Sequence, residues 1–239
     1  MQKIGQIALL FLAFAGITSC NDSNNEKAFE IKGDVMIIKR TIGDQTYYAR
    51  SYYAYGNQPI TEASVTLPEG GTLELAAADA SKQTYMVEPI ANDTTNDFST
   101  EQPVDGRFEF SVINEGIEHT ATDELTFTDL AIDSITSVEY NSGILTIEWE
   151  TSSDIDNYIV RLVDENYNPI FTGTLLSNTQ STYQISLASG GNWTQAPVPG
   201  QTYFVEIQAI SYDDDATSND FYYNINEISV ASKSIVWSE

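Results

Sequence analysis

The sequence predicts an all-β protein built as two tandem β-sandwiches, and three observations carry that prediction. Thr, Ser, Val, Ile and Tyr are abundant, with 14 Tyr in the chain, and β-branched and aromatic side chains suit a half-buried pleated surface. Short alternating runs are punctuated by Gly, Pro and Asn turns, the pattern of a sandwich. No long stretch with a 3.6-residue apolar period competes.

The chain opens with a leader. Met1 to Lys3 is a small positive head, and Ile4 to Gly16 is an apolar core of 13 residues. That core is too short to span a bilayer of about 30 Å as a mature helix but suits a signal-peptide core. Ile17-Thr18-Ser19 then leads into Cys20, the only cysteine of the chain. This stretch resembles the lipobox of bacterial lipoproteins, with Ile17 where the usual pattern has Leu. The resemblance implies cleavage after Ser19, lipidation of the Cys20 thiol, and residence in the cell envelope at the outer membrane. A lone thiol forms no internal disulfide, and two or three acyl chains on it anchor stably where one is marginal. Residues 20–28 read as a flexible polar tether. Asp22 and Glu26 are a dilute form of the acidic signal that sends some Bacteroidetes lipoproteins to the cell surface.

The first sandwich is predicted over residues 29–131. Phe29 to Thr41 alternates and then runs apolar through Val35-Met36-Ile37-Ile38, and Thr46 to Tyr55 is a Tyr-rich strand. Turns at Gly56-Asn57-Gln58-Pro59 and Pro68-Glu69-Gly70-Gly71 flank a strand at Ala63 to Leu67. Thr72 to Ala76 and Tyr85 to Val87 are two shorter strands, and Asn92 to Val104 a long polar loop. Arg107 to Val112 places Phe108, Phe110 and Val112 on one face, and Thr120 to Leu130 is strand-like after the Asn114-Glu115-Gly116 turn. Tyr47, Tyr48, Tyr52, Tyr53 and Tyr55 read as core and strand-face residues.

A second alternating set begins at a hinge near Ala131 to Thr136, giving a second sandwich over residues 132–239. Its strands are Ile144 to Trp149, Tyr158 to Val163, Pro169 to Leu175, Tyr183 to Leu187, a strong one entered by Pro199-Gly200-Gln201-Thr202-Tyr203, and Ile228 to Trp237. Trp149 at the end of one strand and Tyr158 opening the next match the core pattern of fibronectin type III domains. The Pro199-to-Tyr203 turn matches that family's entry into its sixth strand. This half therefore resembles a fibronectin type III domain from Ser134 onward, with the Gly190-to-Pro197 insertion and a long loop before the last strand as departures. The resemblance implies that Tyr203 is a tyrosine corner, its hydroxyl bonding back to the backbone. It implies a fold and no specific function. The first half is only generically immunoglobulin-like.

The charge narrows the partners. Thirty-five acidic against ten basic residues give a formal net charge of −25, which disfavours nucleic acid and anionic lipid surfaces. Chemistry is narrowed by residue type. His119 is the only histidine and Cys20 the only thiol, so His/Cys zinc sites and Ser-His-Asp or Cys-His arrangements are excluded unless His119 serves alone. Gly70-Gly71 and Gly190-Gly191 lack the spacing and following helix of a phosphate loop. Carboxylate pairs are plentiful, as glycoside hydrolysis needs, but chance supplies them in so acidic a chain.

Two loops of the second half are expected at one pole. Asp154 and Asp156 in the first could face Asp213, Asp214 and Asp215 in the second, and calcium takes six to eight such oxygens at about 2.3–2.6 Å. Two solvated acidic loops are the plainer reading, so no cofactor is expected, with calcium as the one alternative. Phe221, Tyr222 and Tyr223 in the same long loop form a candidate ligand-binding patch or pack back on the sandwich. Thr94, in Asp93-Thr94-Thr95, and Ser134, in Asp133-Ser134-Ile135, resemble the short O-glycosylation pattern of Bacteroidetes. The leading functional reading is a non-catalytic, lipid-anchored envelope module that binds a protein or glycan or acts as a spacer. The alternatives are an accessory carbohydrate-active protein or weak carboxylate hydrolase, and a structural subunit of a surface assembly.

Overall fold

The computed structural model describes residues 28–42, 44–90, 97–130, 134–188, 190–214, 216 and 224–238. Among them every regular element is a strand. The first lobe comprises β1 (Ile31–Ile42), β2 (Gln45–Gly56), β3 (Glu62–Thr66), β4 (Thr72–Ala77), β5 (Thr84–Val87), β6 (Gly106–Asn114) and β7 (Ile117–Leu125). The second comprises β8 (Ile135–Asn141), β9 (Ile144–Trp149), β10 (Asn157–Val163), β11 (Pro169–Thr172), β12 (Leu176–Ser177), β13 (Thr182–Ile185), β14 (Asn192–Trp193), β15 (Thr202–Tyr212) and β16 (Ile225–Val236).

Local sequence sets the hairpins. β6 and β7 are joined by Glu115-Gly116, and β8 and β9 by Ser142-Gly143. All four residues have positive φ, between 50° and 81°, the two-residue turn whose twist matches paired strands. In the first lobe, β1, β2 and β5 face β3, β6 and β7, and β4 bridges the two sides. Alternation delivers Val35, Ile37, Val65, Phe108, Phe110 and Val112 to a common core, each at most 1% exposed. The Phe110 ring packs against Gly33, where an added Cβ would overlap it. Gly33→Ala is therefore expected to cost about 1–3 kcal/mol by overpacking, and a chemical-denaturation midpoint unchanged from wild type would refute this packing role.

The second lobe is a fibronectin type III-like sandwich. A three-stranded sheet, β8-β9-β13, covers the sheet β14-β11-β10-β15-β16. Between them sit Leu145, Ile147, Trp149, Tyr158, Val160, Leu162, Phe171, Val205 and Ile207. The rings of Trp149 and Tyr158 meet edge-on with centroids 5.5 Å apart. The expected tyrosine corner is present: the Val198 N–H donates to Tyr203 Oη at 2.8 Å.

The two lobes share one sheet. β1 runs parallel to β16 with Ile37 opposite Glu227 and Arg40 opposite Val230, so a 13-stranded sheet passes from one lobe into the other. A third core forms on this seam from Met36, Tyr53, Ile210, Ile225, Ile228 and Val230. Charge crosses the seam beside it. Arg40 of β1 sits 3.0 Å from Glu206 of β15, and Arg161 of β10 lies 3.9 Å from the same carboxylate, all three nearly fully buried. These are charge contacts rather than aligned hydrogen bonds, since neither Glu206 oxygen has a hydrogen-bond partner among the described residues. Arg40 also stacks over Tyr167 at 4.8 Å. The connection between lobes is pinned to both seam strands, with Thr128 Oγ1 donating to Glu227 of β16 at 3.0 Å and Lys39 Nζ of β1 donating to Asp129 at 2.5 Å.

Candidate functional site

Where the lobes meet, the sheet opens into a polar cleft of about 1130 Å³. Its walls come from the start of β1, the outer half of β7, residues 126–130, the β9–β10 loop and the loop after β15. Acidic groups dominate: Asp123, Glu124, Asp129, Asp154, Asp156, Asp213 and Asp214 line it, against Lys32 and Arg107.

Two of its lining acids, Asp123 and Asp213, converge with the fully buried Asp34 from three separate elements, with one carboxylate oxygen of each within 4.8 Å of the other two. Asp34 enters on β1 at the position opposite Tyr53, on the strand face it shares with Met36 towards the seam core. Its Oδ1 accepts the Ile225 N–H of the other lobe at 3.1 Å. Asp123 comes from the inward parity of β7, shared with Leu125. Its Oδ2 accepts the Val35 N–H at 2.7 Å and its Oδ1 that of Glu124 at 3.0 Å. Asp213 follows β15 at the neck of the β15–β16 loop, where its N–H donates to Asn224 O at 3.0 Å and its carbonyl accepts from Ala216 at 3.0 Å.

Asp34 is 0% exposed, and among the described residues nothing hydrogen-bonds its Oδ2. Burial first, then repulsion from Asp123 and Asp213, pushes its carboxyl well above the usual range, against the opposing pull of the Ile225 N–H. Carboxylates this close repel one another, and the burial of Asp34 sharpens that repulsion.

The residues singled out in the sequence fall as follows. Asp154, Asp156, Asp213 and Asp214 all line this cleft, yet only Asp213 belongs to the convergent trio. Asp156 Oδ2 instead accepts the Tyr212 N–H at 2.9 Å, and the exposed Asp154 accepts from Ser153 Oγ at 3.1 Å. Cys20, Thr94, Asp215, Phe221, Tyr222 and Tyr223 lie outside the described residues. Ser134 is exposed immediately before β8. His119 packs edge-on against Phe29 at 4.7 Å; it shares β7 with Asp123 but does not belong to the trio. Of the five tyrosines of β2, Tyr48, Tyr52 and Tyr53 are buried and Tyr47 and Tyr55 half-buried.

Sequence reasoning missed Asp34 and Asp123. Both carried a signal: Asp34 precedes a four-residue apolar run, and Asp123 shares its parity with Ala121 and Leu125.

No family model and no curated protein matches the chain. Among solved structures it is similar to a two-domain fibronectin type III segment of chicken tenascin, at 12% identity over 78% of this chain and 92% of that one, with a TM-score of 0.30. It is also similar to a DUF3823 family protein from Bacteroides uniformis, at 10% identity over 85% and 99% of the two chains, TM-score 0.32. A third is a β-1,2-glucanase from Parabacteroides distasonis, at 11% identity, TM-score 0.32, covering 88% of this chain but 36% of that one.

Proposed function

We propose that the protein is a non-catalytic binding and spacer module of the cell envelope, anchored through Cys20, in which two lobes act as one rigid arm. The observation that supports this reading is the parallel pairing of β1 with β16. A flexible string of domains keeps its sheets separate, and relative motion is then the default. Here the lobes cannot swing without breaking ladder hydrogen bonds and exposing the seam core.

The recognition surface is the cleft. Its Asp, Asn, Ser and Thr side chains present acceptors to hydroxyl or amine groups, which suits a glycan or a basic protein segment and repels anionic partners. Hydrolysis by its closest carboxylates is disfavoured because Asp34 is fully buried, out of reach of a glycosidic bond. Small-angle scattering tests the rigid arm. A radius of gyration of about 17–20 Å is expected for the folded part, near that of a compact chain of its size. A broad distribution of lobe separations would sink the proposal.

A further inference from the structure

We propose that Asp34, Asp123 and Asp213 form a binding site for one hard divalent cation, calcium by its ligand chemistry, which fastens β1 of the first lobe to the β15–β16 loop of the second.

The donor set points to the ion. Every ligand in the trio is a carboxylate oxygen, with no His or Cys donor grouped with it among the described residues, which selects calcium or magnesium over zinc or copper. One oxygen from each already lies within 4.8 Å of the others, the spacing of oxygens that share a cation at about 2.3–2.6 Å. The carboxylates are oriented beforehand by the Ile225 and Val35 N–H groups.

Two buried oxygens independently call for a partner. Asp34 Oδ2 is fully enclosed with no hydrogen-bond donor among the described residues. Ser211 Oγ, on a residue 7% exposed in the wall of the same cleft, likewise has none. A buried carboxylate oxygen without a donor is costly, and a cation satisfies it where a hydrogen bond does not. Calcium accommodates an irregular shell completed by water or neighbouring amide oxygens such as those of Asn224 and Asn226, whereas magnesium demands near-octahedral geometry. Because Asp34 and Asp213 belong to different lobes, the ion would add a clamp to the β1–β16 seam.

The test is a thermal melt of the full-length protein after EDTA treatment, at constant ionic strength, with calcium, magnesium or neither. Calcium at tenfold excess over its Kd is expected to raise the midpoint by about 3–6 °C, with one ion bound per chain by titration calorimetry. Asp34→Asn and Asp123→Asn should each abolish the shift and the binding heat. Glu139→Gln, an exposed acid on β8, should keep both, which separates a site from screening of a very acidic surface. If Asp123→Asn does not fold, Asp213→Asn and calcium-displaceable terbium luminescence sensitised through Tyr212 replace it. No calcium shift in wild type, an equal shift in Asp34→Asn, or several weak ions per chain would overturn the site. An equal response to magnesium would overturn the calcium assignment. These outcomes are separate from the scattering result, since lobes held rigid without calcium leave the spacer reading standing.

Discussion

Replacing Glu206 by Gln is expected to be among the most damaging single substitutions in the protein, lowering stability by about 3–5 kcal/mol. Glu206 is the only carboxylate within 4 Å of Arg40 and of Arg161 among the described ion pairs. Removing its charge leaves two buried guanidinium groups inside the seam, repelling each other. Burial already pulls the Arg161 guanidinium below its usual range, and Arg40 adds to that, while Glu206 and then Glu88 oppose it. The amide of Gln keeps the volume but not the charge, so the effect reports electrostatics rather than a cavity. Calorimetry should show the midpoint falling by about 6–20 °C for a protein of this size. A fall under about 2 °C would mean that water or rearrangement solvates the arginines, and that the seam is looser than the sheet pairing requires. Replacing all three charged residues with apolar ones of similar volume should cost much less than Glu206→Gln, since isolated buried charge is the penalty and not the loss of the pair.

The same residues show where the sequence stops being legible. Strand positions, hairpin turns, the Trp149–Tyr158 contact and the Tyr203 corner follow from local alternation and turn chemistry, so they can be read from a few neighbouring residues. The β1–β16 pairing cannot, because its partners are some 190 positions apart and nothing in either strand names the other. One trace exists: Val35 to Ile38 is a continuous apolar run, and strands covered on both faces read that way. Glu206 and Arg161 lie on the face of their strands opposite the fibronectin-like core. A single sandwich would leave them in solvent, and only the first lobe, which brings in Arg40, buries them. Asp34 is similar: its neighbours in sequence mark it as strand, while its meaning depends on Asp123 and Asp213, brought in by two other elements. Paired-loop reasoning placed Asp154, Asp156, Asp213 and Asp214 at one pole, but it could not see that the deepest acid would come from the other lobe.

In the calcium-free protein, Asp34→Asn should stabilise rather than damage the fold, by about 1–3 kcal/mol at neutral pH. Native Asp34 is a carboxyl whose burial and acidic neighbours raise its affinity for a proton well above that of an ordinary carboxylate. A folded-state pKa above the unfolded one means that protonated Asp34 favours the native state. That contribution is fully present below about pH 4 and is lost as pH rises through the raised folded value. The wild-type protein should therefore gain stability relative to Asp34→Asn on acidification from neutral pH. Asn cannot ionise, and its amide can donate to Asp123 or Asp213, which mimics the protonated acid. The difference in midpoint between variant and wild type, about 3–10 °C at pH 7.5, should close towards zero near pH 4. Taking the difference removes the parallel titrations of Glu88 and Glu227, both raised by burial, and the general relief of self-repulsion. Saturating calcium should reverse the order at neutral pH, making wild type the more stable, because the ion rewards the charge that the empty site penalises. A midpoint difference that is flat from pH 4 to 7.5 would show that Asp34 carries no trapped charge. The carboxylate trio would then be solvated rather than held at the base of the seam.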